Sequence, residues 1–381
     1  MSIDALRSEN KMLNKHTIIK GKTKAWKFLA IFAASLLSVF ITIAVLNYNI
    51  NPLRHSISAH SKVANYLSKG LNYEIFDPNI NWRMLRREHI RQMPTVPEII
   101  VFGGSRFQEA SSKLVKNKSF YNAFVHSDYL EDMFALTKLL LDAKRLPKTL
   151  ILSVRYQTFL PFEKRDSNDW LTFASEYRAM AKSLGVATPS FFKTFSLKDW
   201  TDLFSVEALK QQLELRRSVS SQPVPTKEAL SKEFDLIKAD GSMAWSAKRQ
   251  KLFTEEYALK DALNKFKRNQ KKRLEIDPEL VAALGKLIEF LQSQGTRVVL
   301  AQTPFHPVYY SKMLNTPYGE DLQRIEMEAQ NLAKAHKIIA AGSFDPNKIG
   351  CPVSTFIDWH HANEDCLVKI FNAIPELGSQ K

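Results

Sequence analysis

From Pro97 onward the chain alternates short, almost wholly apolar runs with longer stretches whose apolar residues recur at helical spacing, and few architectures accept that rhythm. Strands are expected over residues 98–103, 120–125, 149–154, 297–301 and 338–341. A run such as Thr149-Leu-Ile-Leu-Ser-Val154 lacks the polar alternation of a half-exposed strand, so it belongs in a sheet buried on both faces. Between the strands, Leu130, Met133, Phe134, Leu136, Thr137, Leu140 and Leu141 follow Asp128, the expected helix cap. Further helices are expected over 278–294, 319–337 and 363–374. The expected fold is α/β, a parallel sheet covered by helices.

Between residues 156 and 276 the rhythm fails. Amphipathic helical patterns at 206–217 and 247–273 are separated by a stretch that begins with the turn-like Ser218-Val-Ser-Ser-Gln-Pro-Val-Pro225. The whole segment is expected as a helical insertion or lid at the exit of the third strand. Open α/β sheets bind ligands beyond the carboxyl ends of their strands, so an insertion there either shapes a site or packs without touching substrate. Lys265, Lys267, Arg268, Lys271, Lys272 and Arg273 lie in it, spread around a helix axis as on a solvated helix end.

A second constraint lies upstream. Residues 28–53 contain no charged side chain, which is long enough for one membrane-crossing helix. Seven basic residues precede that run against Asp4 and Glu9, so the N-terminus is expected in the cytoplasm and the remainder outside, as a single-pass signal anchor in the cell (inner) membrane. A cleaved signal peptide is the alternative, disfavoured by the length of the run. The expected organisation is a basic cytoplasmic tail over 1–27, a transmembrane anchor over 28–50, a juxtamembrane stalk over 51–96 carrying Arg83, Arg86, Arg87 and Arg91, and an extracytoplasmic or periplasmic domain over 97–375. Of the 381 residues 45% are hydrophobic, which excludes a disordered chain and supplies a sizeable core. The net charge of +15 favours an anionic partner, such as headgroups, an envelope polymer or an acidic glycan, while the compartment argues against nucleic acid. Cys351 and Cys366 are the only cysteines; in an oxidising compartment they either join in one disulfide or remain two buried thiols.

The chemistry concentrates at two places. The first strand runs into Gly103-Gly104-Ser105, where the glycines let the backbone turn and expose a hydroxyl, and the last tenth of the chain carries Asp358-Trp359-His360-His361. A serine becomes a useful nucleophile when an imidazole takes its proton and a carboxylate fixes that imidazole's tautomer. Ser105, His361 and Asp358 supply those three parts. No Cys/His/Asp cluster has metal-ligand spacing, and no cofactor is expected.

Val101-Phe-Gly-Gly-Ser-Arg106, Phe120-Tyr-Asn-Ala123, Leu152-Ser-Val-Arg-Tyr156, Thr303-Pro-Phe-His-Pro307 and the Asp358-x-x-His361 pair before the final helix together resemble the SGNH (GDSL-like) hydrolase superfamily. More narrowly they look like its membrane-anchored branch, which includes the teichoic-acid D-alanyl-transfer and alginate O-acetylation proteins. The resemblance covers residues 97–155 and 277–375 and implies a three-layer flavodoxin-like sheet with the insertion and the membrane helix added. It implies Ser105 as nucleophile, His361 as base and Asp358 as the residue orienting it, with His360 as the alternative base. Arg106, Asn122, Arg155 and His306 are expected to supply oxyanion contacts or to line the substrate cleft. The family's second-block glycine falls at Phe124 or Ser127, and its Gly-x-Asn-Asp block is missing around Arg155-Tyr156-Gln157. Two sources of oxyanion donors are therefore absent, and losing one such donor costs about 100-fold to 1000-fold in turnover. Two functions follow: an acyl-ester transferase or esterase acting on an envelope glycan or anionic polymer, or a degenerate scaffold serving an integral-membrane acyltransferase or polymer-export complex.

Overall fold

The computed structural model describes residues 3–50, 56–75, 80–165, 167–190, 204–217 and 224–377. The chain divides into two units, one formed by residues 1–52 with 197–217 and the other by 53–196 with 218–381. In the first unit the helix Ile3–Ile50 contains the stretch Ala25–Asn49, apolar and long enough to cross a membrane. The helix Val206–Arg217 packs against it, with Phe204 edge-on to Phe40 at 6.3 Å and Asn47 Nδ2 donating to the Ser205 carbonyl at 3.2 Å. That part of the expected insertion thus belongs with the apolar helix in the first unit.

The second unit is mixed α/β. Its strands among the described residues are β1 (Asn72–Ile75), β2 (Ile99–Phe102), β3 (Phe120–Asn122), β4 (Thr149–Ser153), β5 (Pro225–Thr226), β6 (Asp235–Ile237), β7 (Met243–Ala244), β8 (Arg297–Gln302) and β9 (Ile339–Gly342). Five of them form a parallel sheet in the order β3-β2-β4-β8-β9. Side chains alternate between its faces. Ile100, Phe102, Leu150, Leu152, Val298 and Leu300 join the core under the helices Leu130–Asp142, Pro278–Ser293 and Pro317–Ala335. Ile99, Val101, Ile151, Val299 and Ala301 join the opposite core, which Leu367, Ile370 and Phe371 of the helix Glu364–Asn372 close. Both faces are dry, which is why these strands are nearly continuous hydrophobic runs; each fully buried Leu or Ile contributes about 1.5–3 kcal/mol.

The expected stalk is instead part of this unit. Helix Trp82–Gln92 buries Trp82, Leu85 and Ile90 in the core, and three of its four arginines are internal ties, while Arg91 is exposed and pairs with Glu88 on the same helix at 3.0 Å. Arg83 forms a two-pronged pair with Asp132 at 2.7 and 2.8 Å, and Arg86 donates to the carbonyls of Phe124 and Gly241 at 2.9 and 2.7 Å. Arg87 is paired with Glu176 at 2.8 Å. A guanidinium buried in this way must have partners, and the composition of the stretch alone does not show that it has them. Strand β1 pairs with β5 and β6, and β6 with β7, so upstream and insertion segments share a four-stranded antiparallel sheet.

The insertion also docks on the exit of the parallel sheet. Gly241, at φ +80°, lies so close to β3 that a Cβ would sit 2.3 Å from the Asn122 carbonyl oxygen. The Asp240 carbonyl accepts from the Asn122 amide at 2.7 Å, and the Gln108 carbonyl accepts from the Met243 amide at 2.7 Å.

Candidate active site

Strand β2 ends at Phe102 and delivers Ser105 to the first position of a one-turn helix, Ser105–Phe107. The two glycines are needed for packing. A Cβ on Gly103 would lie 3.1 Å from Ser153 Cβ, and one on Gly104 only 2.1 Å from Asp128 Oδ1. Asp128 is therefore not the cap of the next helix; Tyr129 holds that position, and Asp132 Oδ2 accepts from its amide at 2.9 Å. Asp128 is buried against the Gly104 backbone and binds Arg155 Nη1 at 2.7 Å.

The other half of the site is a tight loop before the final helix. Phe356 pairs with Ala362 across an isolated bridge, the Ile357 amide donates to the His361 carbonyl at 2.9 Å, and Asn363 caps the helix Glu364–Asn372. A disulfide joins Cys351 to Cys366, with Cα atoms 5.3 Å apart, and ties this loop to the helix. Within the loop Asp358 Oδ1 accepts from the amides of His360 and His361 at 2.9 and 2.8 Å, while Oδ2 meets His361 Nδ1 at 2.6 Å. A carboxylate there fixes the proton on Nδ1, leaving the Nε2 lone pair for Ser105 Oγ at 2.8 Å. Burial pushes the Asp358 carboxyl upward, but attraction to His361 and the hydrogen bonds outweigh it and hold the group well below the usual carboxylate range.

His360, the alternative base, lies beside the pair. Its Nε2 is 3.2 Å from His361 Nε2, its Nδ1 is buried without a partner, and its ring packs on Trp359 at 4.0 Å. Burial and then the neighbouring His361 keep it neutral, with a pKa well below 6.5. Among the described residues, ligand atoms of Asp358, His360 and His361 also lie within 4.8 Å of one another, close enough to hold a metal ion.

The remaining sequence candidates separate by role. Arg106 is buried and donates to the carbonyls of His360 at 3.1 Å, of Pro304 at 2.7 Å and of Thr303, pinning the Asp358–His361 loop to the end of β8. Both amide protons of Asn122 are committed to the carbonyls of Phe107 and Ala110, at 2.7 and 2.8 Å, so it supports the turn rather than facing an oxyanion. His306 is fully buried as the cap of the helix Pro307–Met313, accepting from the Val308 amide at 3.2 Å, so it does not line a cleft. Of these four only Arg155 is not fully buried, with 12% of its side chain exposed, and its guanidinium lies against the Gly104 turn that leads into Ser105.

Several neighbours carry no motif signal. Glu109, four residues after the serine, accepts from Trp245 Nε1 of the insertion at 2.6 Å, and Asp261 on the helix Glu255–Asn269 accepts from the Trp359 amide at 3.3 Å. His126 packs against Trp82 and Phe124 at 5.2 and 5.8 Å, and burial lowers its pKa to about 3. Burial raises the Glu109 carboxyl to about 7, against the pull of Trp245, His361 and Lys238 and with a push from Glu364. A carboxyl that holds its proton more tightly folded than unfolded contributes stability fully present below about pH 4.5 and lost as pH rises through about 7. Glu109→Gln keeps the Trp245 contact and removes that titration. The variant is expected to gain about 1–3 kcal/mol over wild type at pH 8 and nothing at pH 4.5. Thermal melts at the two pH values check this, and a pH-independent difference would contradict it.

A concavity of about 570 Å³ lined by Glu131, Phe162, Arg165, Tyr177, Asp277 and Lys286 shares no residue with the site formed by Ser105, His361 and Asp358. No protein-family model and no curated protein matches the chain.

Proposed function

We propose that this chain is an SGNH-like, membrane-anchored acyl-ester transferase or esterase whose globular unit works outside the cytoplasm on a cell-envelope glycan or anionic polymer. The observation that carries the reading is the continuous hydrogen-bond chain from Ser105 Oγ through His361 to Asp358, at 2.8 and 2.6 Å. The parallel strands, counted along the chain, lie in the order 2-1-3-4-5, the doubly-wound order that a three-layer flavodoxin-like fold uses. The serine stands beyond the carboxyl end of β2, next to the point where the strand order reverses, where such folds place their ligands. His361 takes the serine proton as Oγ attacks the ester carbonyl, and returns it to the leaving hydroxyl. Water or a sugar hydroxyl then resolves the acyl-enzyme by the same route in reverse. The basic tail ahead of the apolar helix supports a cytoplasmic N-terminus in the inner membrane.

One observation favours the scaffold reading, in which the fold serves an integral-membrane acyltransferase. Asn122, the side chain nearest in the sequence to an oxyanion donor, is fully engaged in holding its own turn. Replacing Ser105 by Ala in the full-length protein and measuring envelope ester content separates the two. The enzyme reading expects the ester level to fall, or to accumulate if the reaction is hydrolysis. A level equal to wild type at equal protein abundance leaves the scaffold reading in its place.

A further inference from the structure

The hydrolytic fold needs a donor for the negative charge that develops on the carbonyl oxygen, and the residues expected to provide it are absent or committed elsewhere. We propose that Arg155 is that donor, so that a fixed guanidinium replaces the neutral amides in stabilising the oxyanion. The proposal rests on the acyl-transfer reading and names a catalytic residue within it.

Four observations place and prepare the side chain. A Cβ on Gly104, the residue before the nucleophile, would lie 3.2 Å from Arg155 Nη1, so the guanidinium lies against the turn that carries Ser105. Nη1 is held at 2.7 Å by Asp128, a carboxylate only 3% exposed, and the ring faces of Tyr129 and Tyr156 flank the guanidinium at 5.8 and 5.5 Å. The side chain therefore has one position. Nε is buried without a partner, and Nη2 has no protein hydrogen bond among the described residues. Tyr156, next in the chain, packs on Trp359 at 6.2 Å, and the Arg155 charge is among those that disfavour protonation of His360, beside His361. A cation anchored by a buried carboxylate and left with free N–H groups is preorganised for an anion that exists only in the transition state.

The bonding changes are ordinary. Ser105 Oγ bonds to the carbonyl carbon as its proton passes to His361 Nε2, and the carbonyl π pair moves onto oxygen, forming the oxyanion beside Arg155. Collapse returns that pair, breaks the bond to the alkoxy oxygen, and His361 gives its proton to that oxygen. The guanidinium keeps its proton throughout.

The test uses full-length protein in detergent and a neutral small ester, p-nitrophenyl acetate, which carries no anionic group of its own. Arg155→Gln combined with Asp128→Asn replaces the ion pair by a hydrogen-bonded amide pair and leaves no unpaired buried charge; Arg155→Lys is the second variant. For both, kcat is expected to fall about 100-fold to 1000-fold with KM changed less than about threefold. The melting temperature of each variant shows that the chain is folded. A folded variant with wild-type kcat on the neutral ester overturns the proposal and leaves the triad standing; an arginine that only grips an anionic polymer gives that result. A folded wild type that neither hydrolyses the ester nor reacts with a fluorophosphonate removes the acyl-transfer reading itself, and this proposal with it.

Discussion

Asp358→Asn is expected to lower kcat by about 10⁴ while leaving the fold intact. Asp358 Oδ1 accepts two backbone amides, from His360 and His361, and the asparagine carbonyl can do the same. The group that then faces His361 Nδ1 is an NH2, a donor where an acceptor stood. His361 must answer by moving its proton to Nε2, the atom that meets Ser105 Oγ, and a nitrogen that already carries a proton cannot take one from serine. Steady-state turnover of a chromogenic ester checks the size of the loss. A fall under about tenfold would mean that His361 is not oriented by this carboxylate.

The second large effect is on stability. Gly104→Ala puts a methyl 2.1 Å from Asp128 Oδ1 and 3.2 Å from Arg155 Nη1, so the buried ion pair must separate or the turn that carries Ser105 must move. Breaking a buried pair without replacing it costs about 3–5 kcal/mol. Gly103→Ala is the milder comparison, because its nearest contacts, Ser153 Cβ at 3.1 Å and Phe107 at 3.2 and 3.3 Å, call for shifts of about a few tenths of an ångström and touch no ion pair. Chemical denaturation of the two variants is expected to rank Gly104→Ala well below Gly103→Ala. Equal midpoints would show that Asp128 and Arg155 are not held where the geometry places them.

How much of this was legible in the sequence depends on the kind of signal each part leaves. The parallel strands were legible because burial on both faces writes itself as an apolar run: 149–154 was expected and Thr149–Ser153 is found. The serine and the Asp-x-x-His pair were legible because a glycine turn and a local spacing mark them, and the structure brings Ser105, His361 and Asp358 together. Residues 51–96 read as a stalk because the basic stretch of Arg83, Arg86 and Arg87 carries no local sign of its partners: Asp132, the Phe124 and Gly241 carbonyls and Glu176 are tens of residues away. Asp128 was misjudged for the same reason: an acidic residue before a helix looks like a cap, and nothing local says that Arg155 will claim it. The insertion proved to be several things. One helix lies on the long apolar helix, three short strands join β1, and Trp245 reaches Glu109 beside the site. Contacts that close over such separations leave no periodicity to read.

The central claim is that Ser105 is a nucleophile activated by His361. Full-length protein treated with a fluorophosphonate and analysed by intact mass and peptide mapping tests it most directly. The expected result is one adduct, on Ser105, formed by wild type and lost or slowed at least about 100-fold in His361→Ala. A folded wild-type protein that takes no adduct, or one labelled at Ser105 equally fast without His361, would contradict the account.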